Sequence, residues 1–167
     1  MSVISLNRPL EVLTLDLQGE IFAIDAGLVR EILDLASVTE VPNSRPFVNG
    51  LINVRGKVVP LADFRLPFGM ERREATIDTR VVVVEVDLAG NPTTVGILAD
   101  KVYEVTELTA ASLTETPKIG MKWRSEFVRC IGKRDEEFVV VLDVGTILAT
   151  GLKEPSGDEP RTDSAAA

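Results

Sequence analysis

The sequence predicts a mainly β protein, folded as a sandwich or as small barrels. Apolar residues alternate with polar ones along several short segments, which is the pattern of a strand with one buried face. Turn signals separate these segments by about eight to twelve residues, a spacing typical of sandwiches and barrels. A polar connector, 67–79, divides the chain into two strand-rich halves. We therefore expect two small lobes, separated near residues 66–79.

The N-terminal part of the chain predicts a β-hairpin followed by a short helix. Residues 13–17 alternate leucine with polar side chains, and a two-residue turn at 18–19 leads into an apolar run at 21–24. This arrangement is typical of a hairpin. Residues 26–33 place their apolar side chains on one face of a helix, so a short amphipathic helix is expected there.

The segment 41–65 is the most informative part of the chain. Two apolar runs, 50–54 and 58–61, flank a tight turn at Arg55 and Gly56. This pattern predicts a hairpin that projects a cation beside an apolar sheet. The segment contains no motif of an activated nucleophile, no set of metal ligands and no phosphate-binding loop. A surface that binds another protein explains it better than a catalytic site does.

The second half of the chain predicts strands almost throughout. Residues 80–86 include four consecutive valines, which lose rotamer freedom in a helix and favour a strand covered on both faces. A turn at 87–92 leads into a returning strand at 93–99. Residues 101–108 then show the alternation of a further strand.

The C-terminal part predicts a second hairpin, a helical turn and a tail. A charged turn at 134–137 separates the apolar runs 127–133 and 138–142, which indicates a hairpin. Residues 144–148 are expected to form a final helical turn or two. The segment 153–167 has no large apolar residue to bury, so ordering it would cost entropy without return and a disordered tail is expected.

The composition argues against several classes of function. The chain has no histidine, one cysteine and a net charge of −8. Histidine is the commonest general base and metal ligand, and a single cysteine can form neither an internal disulfide nor a cysteine zinc cluster. Cys130 is interpreted as a small buried side chain on a strand rather than a reactive thiol. No carboxylate pair stands out, so we expect no enzymatic activity, no metal and no cofactor.

The charge also bears on the partners. Nucleic acids bind basic surfaces, whereas this chain is acidic and has one tryptophan and one tyrosine to stack on bases. No apolar run is long enough to span a membrane, and the first residues lack the features of a secretory signal. We expect a cytoplasmic protein that binds other proteins, with neither nucleic-acid binding nor membrane insertion.

The order of residues within 42–69 resembles a known signature. It reads Pro-Asn, Pro-Phe-Val-x-Gly-Leu-Ile-Asn-Val-Arg-Gly, Val-Pro-Leu-x-Asp-Phe-Arg and Phe-Gly, and this is similar to the core of CheW-like domains, the adaptors that join chemoreceptors to the histidine kinase CheA. The resemblance extends over residues 10–150. It departs from the usual pattern at Val54, Ala62, Phe64 and Cys130, the last of which stands where the family usually has glycine.

The resemblance implies two five-stranded, SH3-like β-barrel lobes with a groove between them and short helices. It implies a single domain at 10–152, with lobe 1 at about 18–66 and lobe 2 formed by 10–17 together with 79–150. The tail, 153–167, lies outside it.

The resemblance also implies a receptor-binding site in the groove, where the amphipathic tip of a receptor coiled coil would dock. The residues that it assigns to this site are Val29, Glu31, Ile32, Arg55, Gly56 and Gly96. From the residues alone, a solvated turn is the preferred interpretation of Arg55, because surface charges rarely contribute much, and only the resemblance reverses it. Val29 and Ile32 are equally consistent with inward packing. Gly96 lies on a strand that would form the opposite wall of the groove. An ordinary core strand that ends in an aspartate cap explains most of this segment, and only Gly96 and its neighbours are expected to be exposed to a ligand.

A separate kinase-binding surface is implied on lobe 1, formed by Val38, Asn49 and Gly50. The expected function is that of a non-enzymatic adaptor in a chemosensory array. Its partners would be the regulatory domain of CheA, the cytoplasmic tip of methyl-accepting chemoreceptors and further CheW-like domains in rings, with recruitment from the cytoplasm to membrane-associated arrays. Two alternatives remain: an adaptor of a chemosensory pathway that does not control motility, and a small-barrel module that binds a polymer.

Overall fold

The computed structural model describes residues 8–35, 38–40, 47–71, 73–115 and 124–153. The predicted disordered tail, apart from Lys153, lies outside the described residues. The strands are, in chain order, β1 (Leu10–Leu17), β2 (Glu20–Asp25), β3 (Val29–Asp34), β4 (Thr39–Glu40), β5 (Val48–Val54), β6 (Lys57–Ala62), β7 (Arg80–Leu88), β8 (Asn91–Ala99), β9 (Lys101–Leu108), β10 (Val128–Arg134) and β11 (Glu137–Leu142). One α-helix, α1 (Val144–Lys153), follows them within the described part of the chain.

The strands form two curled sheets, which confirms the mainly β prediction. The first sheet has five strands in the order β10-β11-β2-β1-β9. The second has six, in the order β3-β7-β8-β6-β5-β4. The strand beyond the five that were predicted is β4, which has two residues.

The allocation of strands to the sheets differs from the predicted lobes and corrects them. β2 was expected in lobe 1, but it stays paired with β1 because a two-residue turn joins them. β7 and β8 were expected in lobe 2, but they pair with β3 and β6 of the second sheet. Both sheets therefore take strands from both halves of the chain, and the connector at 67–79 does not divide the lobes.

Four two-residue turns close the hairpins of these sheets. Both residues of each turn have positive φ: Gln18 and Gly19, Arg55 and Gly56, Ala89 and Gly90, and Asp135 and Glu136. Turns of this kind match the twist of the flanking strands. Glycine adopts this conformation without steric cost, so the turn at 135–136, which has none, is the most strained of the four.

The predicted helix at 26–33 is wrong. Only Ala26–Leu28 forms a single 3₁₀ turn, and the chain then extends into β3. Pairing with β7 along its length holds β3 in the extended conformation. The C-terminal helix is confirmed and runs further than predicted, to Lys153.

Three apolar clusters account for the core of the described residues. The largest takes residues from both sheets, including Leu13 and Leu15 of β1 and Val82 and Val84 of β7, together with apolar residues of α1. It therefore lies between the sheets. A second cluster belongs to the first sheet and the turn after β9, and a third belongs to the second sheet and the residues after β3. Each sheet thus curls around an interior of its own.

Cys130 lies in the interior of the first sheet, which confirms its interpretation as a buried side chain. Burial raises the pKa of its thiol, an effect that the neighbouring Arg129 partly offsets.

A buried ion cluster joins the two sheets where the chain crosses between them. The guanidinium of Arg65 donates to both oxygens of Asp63, at 2.9 Å each, and to Oδ1 of Asp100 at 3.0 Å. Asp100, between β8 and β9, also accepts from the backbone N–H of Gln18 at 2.7 Å. Burial lowers the pKa of Arg65, but the hydrogen bond to Asp63 and the charges of both carboxylates outweigh it and leave that pKa raised. The sequence interpretation gave these residues no role beyond the family signature.

Candidate functional site

The predicted receptor residues of β3 occupy two faces of that strand. Residues opposite each other on paired strands point to the same face of a sheet. Val29 lies opposite Val84 and Ile32 opposite Val82, and the register shifts between Val29 and Glu31. The shift is that of a β-bulge, and it puts Val29 and Ile32 together on the face that borders the shared core. Val29 packs against that core, whereas Ile32 is 43% exposed at its margin.

Glu31 points to the opposite face and binds Arg55. Nε of Arg55 donates to Oε2 of Glu31 at 2.6 Å. The side chain of Arg55 is 78% exposed and that of Glu31 is 23% exposed. The hydrogen bond and the charge of Glu31 raise the pKa of Arg55, so the guanidinium is positively charged at any physiological pH. The structure therefore brings two of the predicted residues into direct contact.

The curl of the second sheet makes this contact possible. β3 is an edge strand, and β7, β8 and β6 separate it from β5 in the sheet. Arg55 nevertheless reaches β3 from the β5–β6 turn. That turn is held by Asn53, whose Oδ1 accepts from the N–H of Gly56 at 2.8 Å. The ion pair thus lies where the two ends of the curled sheet approach each other.

The start of β3 is held by a second set of polar contacts. Oδ1 of Asp25 accepts from the N–H of Gly27 at 2.8 Å, and its other oxygen binds Arg129 of β10 at 3.0 Å. Arg30 of β3 in turn donates to the carbonyl of Gly27 and to Glu85 of β7, both at 3.1 Å. These contacts fix the direction in which the bulged strand leaves the 3₁₀ turn.

Gly96 does not belong to an exposed wall, and this expectation is wrong. Gly96 is buried in β8 and pairs with β7 and β6 on its two sides. A Cβ there would lie 2.8 Å from Cγ1 of Val81 and 3.2 Å from Cδ1 of Ile52. The glycine is needed for close packing inside the second sheet and offers no exposed surface to the groove.

The predicted kinase-binding residues lie near the other end of the second sheet. Gly50 is buried, because Val38 covers it: a Cβ on Gly50 would lie 2.3 Å from Cγ1 of Val38. Val38 is half-buried and packs on the interior of the sheet. Asn49 lies in β5 between them in sequence, and its side chain is outside the described part of the chain. Gly50 therefore lies beneath Val38 and is not itself part of the exposed surface.

One exposed residue that the sequence interpretation did not single out borders the shared core from the first sheet. Val105 of β9 lies opposite Leu13, a member of that core, and is 55% exposed. Ile32 and Val105 are therefore exposed apolar residues at the margins of the same core, one from each sheet. Val105 is a better candidate than Gly96 for the second wall of the groove. The alternation of apolar and polar residues could not reveal the exposure of Val105, because that exposure depends on the position of β9 at the edge of the first sheet.

A different groove, of about 530 Å³, opens on the first sheet between β9 and the β10–β11 turn. The ion pair of Arg134 with Glu104 lies in its lining. None of the predicted site residues lines it.

Across the described ranges, no three His, Cys, Asp or Glu side chains are placed to hold one metal ion. Among the same residues, no helix is long and apolar enough to cross a lipid bilayer.

The family model, the related sequences and the solved structure that match this chain all belong to one family. The family model of the CheW-like domain matches residues 11–151. The chemotaxis protein CheW of Klebsiella aerogenes is 29% identical over 140 residues, which cover 84% of this chain and 82% of that protein. That of Helicobacter pylori is 30% identical over 129 residues, which cover 77% and 75%. The crystal structure of the scaffolding protein TtCheW from Thermoanaerobacter tengcongensis matches with a TM-score of 0.73 and 27% identity, over 83% of this chain and 87% of that one.

The fold is that of a small double-sheet β protein, with two SH3-like sheets that pack on a shared core, and it matches the fold of a scaffolding protein. The match extends over nearly all of the described residues and includes the hairpin that carries Arg55. The chain belongs to the CheW-like family of chemotaxis scaffold proteins.

Proposed function

We propose that this protein is a non-enzymatic adaptor that couples methyl-accepting chemoreceptors to the histidine kinase CheA. The observation that carries the proposal is the Arg55–Glu31 pair, an exposed cation fixed on one face of the edge strand β3, whose other face carries Val29 and Ile32. Membership of the CheW-like family supports the choice of partners. The protein would work in the cytoplasm, recruited to receptor arrays at the membrane, and would meet further CheW-like domains in rings.

The receptor site in this proposal combines Arg55, Glu31, Val29 and Ile32, with Val105 on the other side of the shared core. The receptor tip is a helical coiled coil, and an amphipathic helix binds a groove through apolar anchors on one face. Ile32 and Val105 offer exposed apolar surface for such anchors. Arg55 offers a planar guanidinium, which suits a carboxylate on the helix. Because Glu31 already holds the guanidinium in place, less side-chain freedom would be lost on binding.

The kinase site in this proposal lies around Val38 and Asn49, with Gly50 beneath Val38. Asn49 lies near the start of β5 and Arg55 follows its end, about 20 Å along the strand, which would allow receptor and kinase to bind together. Coupling then needs no chemistry, because an adaptor that holds two partners in a fixed geometry transmits a shift in one as a bias on the other.

The proposal is tested by reconstitution. The purified chain is mixed with CheA from the same organism, with and without a soluble receptor signalling fragment, and kinase activity and co-sedimentation are measured. A rise in activity that requires all three proteins supports the adaptor role. Absence of binding to both partners would contradict it.

A further inference from the structure

The connector before β7 displays an isoleucine on a fixed turn. Ile77 is 89% exposed, the highest value among the large apolar residues of the described chain. The turn is tied by Thr76 and Thr79: the N–H of Thr76 donates to Oγ1 of Thr79 at 2.8 Å, and the N–H of Asp78 donates to Oγ1 of Thr76 at 3.1 Å. Single exposed apolar residues are common on protein surfaces. Ile77 differs from most of them because the turn that carries it is held in place by several hydrogen bonds.

The guanidinium of Arg80 connects this turn to β3. Its Nη1 donates to the carbonyls of Ile77 at 2.8 Å and of Thr79 at 2.9 Å. Its Nε lies 3.3 Å from Oδ1 of Asp34, the last residue of β3. Arg80 and Asp34 are also opposite each other in the β3–β7 ladder. One side chain therefore joins the turn to the end of the strand that carries Ile32.

Ile32 and this connection lie on one face of the sheet. Asp34 follows Ile32 by two residues with no register shift between them, so both side chains point to the same face. That face borders the shared core at Val82, which lies opposite Ile32. The Asp34–Arg80 pair thus lies between Ile32 and the turn that carries Ile77, and Arg80 contacts that turn directly.

We propose that Ile77 is a second apolar anchor point of the partner-binding surface, and that the partner is a helix lying along β3 from Ile32 to Ile77. This inference rests on the proposed function, because it takes the partner to be the receptor's helical tip. Ile32 and Asp34 are about 7 Å apart along β3. The side chain of Arg80 then connects Asp34 to the carbonyl of Ile77. Apolar positions seven and eleven residues apart on one helix are separated by about 10 and 16 Å, so one helix face would offer anchors for both isoleucines over a span of this order.

The fixed turn explains why a single side chain would matter. A side chain on a mobile loop loses much of its gain to ordering on binding. The backbone of Ile77 is already held through its own carbonyl and through Thr76 and Thr79. Burying the side chain against a partner would therefore cost little conformational entropy. The adjacent Asp34–Arg80 pair supplies charges that a polar flank of the helix can meet.

The test compares variants of the full chain in titrations with a soluble receptor signalling fragment, followed by calorimetry. Ile77→Ser should weaken binding about tenfold, from the loss of one apolar contact. Ile77→Leu should restore most of the affinity. Phe138→Ser is the matched control, because Phe138 is also strongly exposed, at 71%, but lies on the first sheet; it should bind as the wild type does. Thermal unfolding of all three should be unchanged, since the side chains are exposed.

Arg55→Glu separates this inference from the proposed function. If Arg55→Glu loses affinity while Ile77→Ser binds normally, Ile77 is only a surface residue and the inference is overturned. If neither variant loses affinity, the receptor site itself is wrong. Equal losses in Ile77→Ser and Phe138→Ser would also overturn the inference, because they would show a general effect of surface apolarity.

Discussion

At the scale of single residues, Arg55 combines exposure with fixed geometry. Its backbone has a φ of 54°, a conformation that costs a non-glycine residue energy, and its side chain is bound to Glu31. Backbone strain retained at an exposed residue is a reason to look for function there. Gln18 and Ala89 occupy equivalent turn positions with similar φ, so the conformation belongs to the turn type, and the ion pair is what distinguishes Arg55.

Arg55→Glu is expected to weaken receptor binding by about tenfold or more, because it removes the cation and places a second carboxylate beside Glu31. Arg55→Lys keeps the charge but not the planar fork, and should retain part of the affinity. Titration with a receptor signalling fragment measures both. CheA binding should stay near the wild-type value, and an equal loss for both partners would contradict the assignment of Arg55 to the receptor site.

Cys130 leads to a prediction about pH. Its folded-state pKa is raised by burial, so folding favours the neutral thiol. The resulting contribution to stability is complete below the unfolded pKa, about 8.5, and is lost as the pH rises toward the folded pKa. The difference in the free energy of unfolding between the wild type and Cys130→Ala should therefore be constant up to about pH 8 and shrink above it. Denaturant titrations across pH 7–10 test this, and a constant difference throughout would contradict it.

Gly50 shows why the choice of variant matters for the kinase surface. Gly50→Asp would place a side chain against Val38 and a charge in a buried position, so loss of kinase binding would not be separable from misfolding. Val38→Thr is the gentler probe, since it keeps the branched shape and adds one hydroxyl. It should weaken CheA binding several-fold and leave receptor binding unchanged, as measured by co-sedimentation. A loss of receptor binding as well would place Val38 outside a dedicated kinase surface.

At the scale of elements, the residues of β3 were wrongly predicted to form a helix, but Val29 and Ile32 do share one face as that prediction implied. Val29 and Ile32 are three residues apart, which is the spacing of one helical face, so the sequence at 26–33 predicts a helix. In the structure the bulge between Val29 and Glu31 puts the same two residues on one face of a strand. A bulged strand and a helical turn give the same local pattern here. Pairing with β7 decides between them, and that pairing is not encoded in the segment itself.

The strongest sequence signals identified the hairpins correctly. The valine run at 80–86 and the apolar runs around Arg55 became β7, β5 and β6. Local turn residues determined these elements, so a single sequence was enough. The exposure of each residue was not determined locally, and Gly96 shows this: its burial depends on strands β6 and β7 on either side.

The β10–β11 turn gives a prediction for stability. Glu136 has a φ of 70° without being glycine. Glu136→Gly removes the steric cost of that conformation, which exceeds the entropy that glycine loses on folding, and should stabilise the protein by about 0.5–1 kcal/mol. Gly90→Ala, at the second position of the β7–β8 turn with a φ of 84°, should destabilise it by a similar amount. Chemical denaturation measures both, and a destabilised Glu136→Gly would contradict the account of strain at this turn.

At the scale of the whole molecule, the Asp63–Arg65–Asp100 cluster and the shared core hold the sheets together. Arg65→Met would remove the guanidinium that binds both oxygens of the Asp63 carboxylate. Water cannot easily replace it, because both side chains are only about 3–4% exposed. The expected loss of stability is about 3–5 kcal/mol. In the double variant Asp63→Asn with Arg65→Met, the loss should be clearly smaller than the sum of the single losses. Additive losses, measured by urea denaturation, would show that the cluster is not coupled.

The division into lobes could not be predicted from the order of strands along the chain. The polar connector at 67–79 looks like a boundary, but β6 before it pairs in parallel with β8 after it. In the same way β2 pairs in parallel with β11. Such pairings join segments that are far apart in the sequence, and neither composition nor periodicity carries information about them.

The parallel pairing of β2 with β11 has a consequence for synthesis in the cell. Phe22 and Ala23 lie opposite Val140 and Val141, so the first sheet cannot close until nearly the whole chain has left the ribosome. Until then the early hairpin presents Leu13, Leu15 and Phe22 to water without their final neighbours, and exposed apolar surface on a nascent chain invites aggregation. The protein is therefore expected to acquire its first complete sheet only after translation, and to depend on chaperones during that interval more than a protein whose sheets form in sequence order.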